Sequence, residues 1–514
     1  MKQPILTKMN RFKSIRRIFR GLSKRGRLEC LLLCLALALA FFVRTYRIHE
    51  LLGFYYDQGR DALIVWDFIH NGKFFLIGPT TGIAGIFRGP WYYWLITPLY
   101  FIGRGNPAYP SVFLSATTVL AVYILFKLAK KIVNSWAAWI ALFIGGFSFP
   151  IVNSSRWLSN PTPMFLISVL FVLSLFLIIE GRKKAFLISG VIAGLAMQFG
   201  SATEIFYVPV VLLITLLYRR QELNIKNASI FILAYITVFT PQAVFDFRHG
   251  FILTKAIREF LFQEGSFRLG FWETVKTRLP FYYEVFVTKL GHRTDTLLML
   301  LVALVALVFI FNVGRLFKNR YFVAVFILFV APLIGMLFFQ GNEGYVFEYY
   351  FTGYYFVFIL LFSSVLGSLS KSWVGKSVIL LFVTYFLFNN LSYIKGYIYS
   401  GIDGPIVVAL GNQKQALDWI YQDSDGKAFN VDEYVPAVIP YAYEYLFKWY
   451  GDFKYGLVPE ENRVNLLYTL SEVDSPHPER LEAWLKRQDT IGKMVDRVQF
   501  GGIMVERRER IKYE

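Results

Sequence analysis

The sequence predicts an all-α polytopic membrane bundle of about eleven transmembrane helices, with external juxtamembrane helices and a small C-terminal α+β domain outside the membrane. Of its 514 residues, 56% are hydrophobic, and these are gathered in long uninterrupted runs. After about residue 391 the composition changes, and Asp, Glu, Lys and Pro become frequent. The apolar runs of spanning length lie near residues 28–45, 108–128, 135–151, 163–180, 185–200, 203–218, 228–245, 296–313, 321–339, 350–369 and 375–391.

The N-terminal segment 1–27 is basic and directly precedes the first apolar run. It holds ten of the 54 basic residues of the chain, and no acid occurs before Glu29. A basic segment beside a membrane span keeps that end in the cytoplasm, so much of the net charge of +19 has a membrane role and no nucleic-acid partner is expected. We expect this first span to remain uncleaved.

Residues 91–103 form an aromatic segment too short to cross the membrane. Thirteen residues of helix cover only about 20 Å, whereas the hydrocarbon core is about 30 Å thick. If this segment lies at the interface, the basic loops fall on the side of the N-terminus, as the positive-inside rule requires. The chain then divides into a cytoplasmic segment 1–27, a membrane module 28–391 with external loops 46–107 and 246–295, and an extracytoplasmic domain 392–514. Within the module, residues 185–218 are expected to form two spans.

The tail contains a small mixture of helices and strands. Residues 415–422, 441–450 and 478–488 have helical patterns, whereas residues 464–469 and 502–505 have strand patterns. A tail of roughly a hundred residues is long enough for a modest core of its own.

An acid and two arginines follow the first span. Asp57 and Arg60 lie about a dozen residues beyond it, and Arg88 comes before the aromatic segment. A carboxylate can act as a base toward a hydroxyl group, and arginine binds phosphate, so the three residues predict chemistry on a lipid-linked phosphate. The alternatives are that Asp57 caps a helix and that the arginines extend along the lipid interface.

Other polar residues near the membrane are possible contacts for an acceptor or donor. Asn160 precedes Pro161 and is expected to cap the next helix, and Glu204 is an acid close to membrane depth. No zinc motif or hydrolase nucleophile motif occurs. The full set of possible contacts is Asp61, Arg156, Asn160, Glu204, Arg248, His249 and Tyr350.

The order of four segments resembles that of the GT-C membrane glycosyltransferases, in the branch of protein O-mannosyltransferases and bacterial aminoarabinose transferases. The segments are Tyr-Asp-Gln-Gly-Arg-Asp-Ala at 56–62, the turn at 71–79, Arg-Gly-Pro-Trp-Tyr-Tyr-Trp at 88–94, and the Phe-Ile-Gly to Asn-Pro turn at 101–107. The resemblance covers residues 28–220 by motif and the remainder by layout. It implies a multi-pass enzyme of the bacterial plasma membrane that acts on the cell envelope.

The resemblance also implies roles for the acid and the arginines. Asp57 would assist the acceptor hydroxyl, Arg88 would replace a donor-binding lysine, and Arg60 would assist Arg88. The donor would be a polyprenyl-phosphate sugar, with an undecaprenyl chain, and transfer would invert the anomeric carbon. Gln58 and Asn160 stand where relatives often have acids, so no divalent metal and no cofactor is expected.

The competing hypothesis is a transporter or flippase for a lipid-linked or anionic envelope precursor. Such proteins often have inverted repeats and charged residues at the middle of the membrane. This sequence shows no repeat, and its acids cluster outside the predicted spans. The pattern therefore favours the transferase.

Overall fold

The apolar runs fold into helices, as the sequence predicts. The computed structural model describes residues 24–83, 85–262, 270–339 and 345–511, so most of the basic segment 1–27 and part of the loop 246–295 lie outside the described residues. The helices of the first half are α1 (Lys24–Thr45), α2 (Ile48–Leu51), α3 (Tyr56–Asn71), α4 (Trp91–Ile102), α5 (Ala108–Ile132), α6 (Ser135–Phe147), α7 (Phe149–Arg156), α8 (Met164–Ile179), α9 (Ala185–Phe199), α10 (Tyr207–Tyr218), α11 (Ile225–Thr237) and α12 (Thr240–Arg248).

The second half continues with helices and adds a four-stranded sheet. Its helices are α13 (Ile252–Phe262), α14 (Phe271–Val287), α15 (Thr296–Leu316), α16 (Arg320–Met336), α17 (Tyr355–Ser368), α18 (Trp373–Tyr399), α19 (Leu410–Ser424), α20 (Tyr441–Leu446), α21 (Asp452–Tyr455) and α22 (Pro478–Ile491). Short 3-10 helices cover Ala202–Phe206, Arg220–Glu222, Glu348–Tyr354 and Leu369–Lys371, and a π-helical turn covers Phe447–Gly451. The strands are β1 (Asn430–Tyr434), β2 (Leu466–Glu472), β3 (Gly492–Phe500) and β4 (Ile503–Arg510).

Each of the eleven predicted runs lies on helix. In the described part of the chain, five helices are long and apolar enough to cross a membrane, or up to seven if two bent pairs each count as one span. Four shorter apolar helices occupy the remaining runs. The chain is therefore a predominantly helical protein with several apolar spans, and eleven crossings stay a prediction.

Two of the predicted runs are bent. The axes of α6 and α7 meet at 55°, and those of α11 and α12 meet at 57°. Pro150 and Pro241 stand in the first turn after each bend. Proline has no N–H to donate and its ring clashes with the preceding turn, so each bend has a local cause in the sequence.

The tail forms a mixed sheet in the order β1-β2-β4-β3. β1 runs parallel to β2, and β4 runs antiparallel to both of its neighbours. The three predicted helices and two predicted strands are present, and β1 and β3 are additional. α18 continues to Tyr399, beyond the end of the predicted apolar run at residue 391.

The tail packs tightly on the segment that follows the first span. Gln413 Nε2 donates to the carbonyl of Phe54 at 2.8 Å. A Cβ on Gly59, in the first turns of α3, would overlap the backbone nitrogen of Ala442 in α20. The close approach of α3 and α20 therefore requires glycine at position 59, and it fixes α3 against the tail.

We expect Gly59→Ala to destabilise the protein by about 1–3 kcal/mol, because the added methyl group overpacks the contact between α3 and α20. The thermal unfolding midpoint of the protein in detergent measures the effect. Gly396→Ala is the matched control, since a Cβ at that helical position meets no atom within 4 Å. Equal midpoints for the two variants would contradict the close approach.

Candidate active site

The first turns of α3 hold an acidic pair bridged by one arginine. Arg60 Nη1 lies 2.9 Å from Asp57 Oδ1, and Arg60 Nη2 lies 2.8 Å from Asp61 Oδ1. The hydroxyl of Tyr93 donates to Asp61 Oδ1 at 2.8 Å. The Asp57 side chain is 62% exposed, whereas that of Asp61 is 6% exposed. The cluster therefore anchors Arg60 to a buried carboxylate, and Arg60 in turn holds the exposed one.

The Gln58 side chain fixes the start of α3. Tyr55 occupies the N-cap position, and its N–H donates to Gln58 Oε1 at 3.1 Å. Gln58 Nε2 donates to the carbonyl of Leu158 at 3.1 Å. Asp57 stands within the first turn and is not the N-cap, so the capping alternative for this residue is wrong. The Asp57 carboxylate projects from the helix end that the two hydrogen bonds of Gln58 hold in place.

The buried member of the pair has a shifted pKa. Burial raises the pKa of Asp61 to about 6, although the Arg60 charge and the hydrogen bonds from Arg60 and Tyr93 oppose the shift. The aspartate therefore becomes protonated well above the usual pH for this side chain. Protonation removes one of the two charges that hold Arg60.

We expect any activity that depends on Asp57 to fall as the pH falls through about 6. Below that pH Asp61 is neutral, Arg60 loses its buried partner, and Asp57 is no longer held in one orientation. The pH profile of the initial rate tests this. The acid limb should be absent in Asp61→Asn, and an unchanged limb in that variant would assign it to another group.

Arg88 lies on a tight hairpin before α4. The Gly78 N–H donates to the Arg88 carbonyl at 2.7 Å, and the Arg88 N–H donates to the Pro79 carbonyl at 3.0 Å. A Cβ on Gly78 would overlap the carbonyl oxygen of Gly89. The glycines of this segment thus allow the two backbone segments of the hairpin to approach closely, and Arg88 stands in their paired stem.

Two glutamines from the apolar helices hold this hairpin in place. The Gly89 N–H donates to Gln198 Oε1 at 2.6 Å, and Gln198 Nε2 donates to Gln242 Oε1 at 2.7 Å. Gln242 Nε2 then donates to the Phe87 carbonyl at 2.9 Å. The network binds the backbone on both sides of Arg88, so the backbone position of Arg88 is set by α9 and α12.

The Arg88 guanidinium faces a cavity of about 500 Å³. Its Nη1 donates to the carbonyl of Gly200, and the side chains of Glu204, Tyr349 and Tyr350 are its electrostatic neighbours. Burial lowers the pKa of Arg88, but arginine remains a cation at neutral pH. Arg88, Tyr349 and Tyr350 line the cavity together with mainly apolar side chains.

Asp57 does not line this cavity, but both Asp57 and Arg88 are electrostatic neighbours of Tyr349. The Tyr349 phenol interacts electrostatically with both the Arg88 guanidinium and the Asp57 carboxylate. An exposed acid and a partly buried cation are thus both electrostatic neighbours of one tyrosine on the cavity wall.

Glu204 lies behind Arg88 and is buried. Its Oε2 accepts from the backbone N–H of Ser201 and from the Thr203 hydroxyl, the latter at 3.0 Å. Its Oε1 has no partner among the described residues. Glu204 thus fixes the turn after Gly200, whose carbonyl accepts from Arg88, and places a carboxyl group near that guanidinium.

Asn160 has a different role from the helix cap that the sequence suggested. The next helix begins at Met164 with Pro163 at its N-cap. The Asn160 Nδ2 donates instead to the carbonyls of Gln198 and Phe199, at 3.1 and 2.9 Å. The capping prediction is wrong because three turn residues separate Asn160 from α8, and the side chain supports the end of α9 near the Arg88 site.

Comparisons with known proteins find similarity to membrane glycosyltransferases. A family profile described as dolichyl-phosphate-mannose-protein mannosyltransferase matches residues 88–245, the segment that includes Arg88, Gln198 and Gln242. ArnT from Cupriavidus metallidurans bound to undecaprenyl phosphate superposes with a TM-score of 0.56 at 12% identity, over 94% of this chain and 98% of that one. ArnT in the apo state gives a TM-score of 0.55 at 11% identity, with the same coverage. No curated protein sequence matches significantly.

The chain has the GT-C fold of membrane glycosyltransferases and resembles the aminoarabinose and protein mannosyltransferases. In this GT-C chain the profile begins at Arg88, so Asp57 and Arg60 lie outside the matched segment. The structural likeness covers both regions.

The remaining candidates of the GT-C chain lie apart from the Arg88 cavity. Arg156 is buried and lines a separate cavity. Arg248 and His249 are exposed at the end of α12, and the His249 ring nitrogen Nδ1 lies 2.7 Å from the Phe245 carbonyl. Among the described residues, no group of three or more His, Cys, Asp or Glu is arranged to hold a metal ion.

The two glutamines are functional candidates that the sequence analysis missed. Gln198 and Gln242 lie in the otherwise apolar runs 185–200 and 228–245. An amide in such a run is costly unless it has a partner, and this was the signal available in the sequence. Their partner proves to be the hairpin that carries Arg88.

Proposed function

We propose that the protein is an integral-membrane glycosyltransferase that moves a sugar from a polyprenyl-phosphate donor to an acceptor hydroxyl outside the cytoplasm. The observation that carries the proposal is the arrangement of Arg88, Tyr349 and Asp57. Arg88 lines a largely apolar cavity, and Tyr349 on its wall is an electrostatic neighbour of both Arg88 and the exposed Asp57 carboxylate. Arg88 can bind a phosphate, the apolar wall of the cavity can bind a lipid chain, and Asp57 can accept the proton of a hydroxyl group.

The donor would bind through its phosphate at Arg88 and through its chain along the apolar wall of the cavity. Arginine matches phosphate because several N–H groups can reach its oxygens at once. The structurally similar ArnT was solved with undecaprenyl phosphate, which supports a lipid phosphate as the ligand here. The Gln198–Gln242 network would keep Arg88 in place when the sugar leaves.

The acceptor would approach from the side of Asp57. Its hydroxyl oxygen attacks the anomeric carbon from the face opposite the phosphate, and its proton passes to the Asp57 carboxylate. The bond from the anomeric carbon to the phosphate oxygen breaks, and the electron pair leaves with the phosphate. Arg88 stabilises that developing charge, and the sugar is transferred with inversion.

Arg60 would act mainly on Asp57. Its guanidinium is held between Asp57 and Asp61, so it can reach a donor phosphate only beside those carboxylates. We propose that Arg60 orients the Asp57 carboxylate and assists the phosphate from there. The membrane placement that goes with this mechanism is the bacterial plasma membrane, with the N-terminus inside and the site and tail outside.

The test is a transfer assay with the full-length protein in liposomes. A series of radiolabelled undecaprenyl-phosphate sugars is supplied, and release of the lipid phosphate and transfer of label to envelope extracts are followed. We expect one sugar to be consumed, and heat-treated protein to be inactive. Movement of intact labelled lipid across the bilayer without release of the phosphate would instead support the flippase hypothesis.

A further inference from the structure

A second cavity of about 390 Å³ lies between α2, the end of α7 and the chain after α18. Tyr55, Arg156 and Tyr397 are among its lining residues. It shares no lining residue with the cavity that Arg88 faces. A ligand in the second cavity therefore makes its contacts with a different set of side chains.

Arg156 is the charged group of this cavity, and its charge is unbalanced. The residue is 3% exposed, and its guanidinium carbon lies 4.7 Å from the centre of the Tyr397 ring. Its Nη2 donates to the Tyr46 carbonyl at 3.5 Å, the limit of a hydrogen bond. Among the described residues, Nε and Nη1 have no partner and Arg156 is in no ion pair.

A second buried arginine shows what a satisfied guanidinium in this region looks like. Arg44 donates to the carbonyls of Ala40, Gly145 and Gly146, at 2.8, 3.0 and 2.7 Å, and to the Ser155 hydroxyl at 2.9 Å. Arg44 is also an electrostatic neighbour of Arg156 and adds to the positive potential there. A buried cation with free donors beside another cation is costly unless an anion joins it.

We propose that this cavity is an anion-binding site that takes a phosphate group, with Arg156 as its direct ligand. The free N–H groups of Arg156 suit the several acceptor oxygens of a phosphate, and the Asn153 side chain on the cavity wall adds a neutral donor. The head group of an anionic phospholipid and a phosphate carried by the acceptor present the same chemistry. Tyr55, the N-cap residue of α3, lines the cavity, so either ligand would bind against the segment that leads into α3.

The proposal is tested by binding, without any sugar donor, so that its outcome is independent of the transfer assay. The parent is the full-length Arg88→Gln variant, because this substitution removes the cation that faces the first cavity. The variant is placed in phosphatidylcholine nanodiscs and titrated with inorganic phosphate by calorimetry. The same titration is made with Arg156→Gln and with Arg182→Gln added to that background. Arg182 is an exposed arginine near Glu180 that lines neither cavity, and it is the matched control.

We expect Arg156→Gln to weaken phosphate binding about tenfold or more, as loss of a charged hydrogen-bond donor does, and Arg182→Gln to leave it unchanged. In phosphate-free buffer, Arg156→Gln should melt no lower than its parent, because an unpaired charge has been removed. If it melts lower, Arg156→Lys supplies the test, since it keeps the charge and should retain part of the binding. Equal affinity of all variants for phosphate would overturn the proposal.

A second arm identifies the source of the phosphate group. Protein extracted from mixed phosphatidylcholine and phosphatidylglycerol membranes is examined by native mass spectrometry. Selective retention of phosphatidylglycerol that is lost in Arg156→Gln supports a phospholipid head group. Phosphate binding that depends on Arg156, without such retention, supports a phosphate on the acceptor.

Discussion

Replacing Asp57 with Asn is expected to lower the rate of sugar transfer by at least about a hundredfold, the lower end of what a general base contributes. Asparagine has nearly the same shape but cannot take the proton of the acceptor hydroxyl. Because Asp57 acts on the acceptor, kcat should fall while the KM for the lipid donor stays nearly constant. Initial rates at several concentrations of undecaprenyl-phosphate sugar give both quantities.

The same variant should fold normally. The Asp57 side chain is mostly exposed, and Arg60 keeps its buried partner Asp61, so only an exposed ion pair is lost. The thermal midpoint should therefore move little. Asp67→Asn is the matched control, because it makes the same change on α3 at a carboxylate that pairs with Lys73 at 3.0 Å. Near-normal transfer by Asp57→Asn, or equal losses in both variants, would remove Asp57 from the mechanism.

The helical part of the fold was predictable because its signal is composition. Runs of about twenty apolar residues fold as helix whatever they pack against, and all eleven runs did so. The bends in two runs depend on single prolines, Pro150 and Pro241, that a count of apolar residues overlooks. The number of membrane crossings does not follow from composition, because an apolar helix of 10–17 residues can either cross the membrane or lie along its surface.

The tail was predicted less completely, for reasons visible in its two extra strands. β3 lies at one edge of the sheet and is largely exposed, so it carries little of the apolar alternation that indicates a strand. β1 lies at the other edge and contains Asn430, Asp432 and Glu433, which are unusual in strands. Both strands form because they hydrogen-bond to the neighbouring strands β2 and β4. These neighbours are known only from the tertiary structure.

The candidate site was predictable by residue type but not by partner. Chemistry alone pointed to Asp57, Arg60 and Arg88. The pairing of Arg60 with Asp61, and the support of the Arg88 hairpin by Gln198, join segments that are far apart in sequence. Spacing along one chain cannot reveal such contacts, and for the same reason the sequence predicts a helix cap at Asn160 instead of its hydrogen bonds to the end of α9.

Replacing Arg88 is expected to have the second large effect, and its kinetic signature should differ from that of Asp57. Arg88→Gln removes the cation that faces the cavity, so both binding of the lipid phosphate and stabilisation of the leaving group are lost. We expect kcat/KM to fall by about 10²–10³, the usual loss when a donor aimed at developing charge is removed. Arg88→Lys should recover part of the rate, since it restores a point charge without the fork of donors.

A direct measurement of lipid-phosphate binding distinguishes the role of Arg88 from that of Asp57. The dissociation constant for undecaprenyl phosphate should rise at least about tenfold in Arg88→Gln and stay unchanged in Asp57→Asn, because Arg88 lines the cavity and Asp57 does not. Arg293→Gln, at an exposed arginine paired with Glu284, controls for the loss of one positive charge. If Arg88→Gln binds undecaprenyl phosphate as tightly as the unaltered protein, the donor phosphate lies elsewhere, and the apolar cavity beside Arg88 serves another ligand.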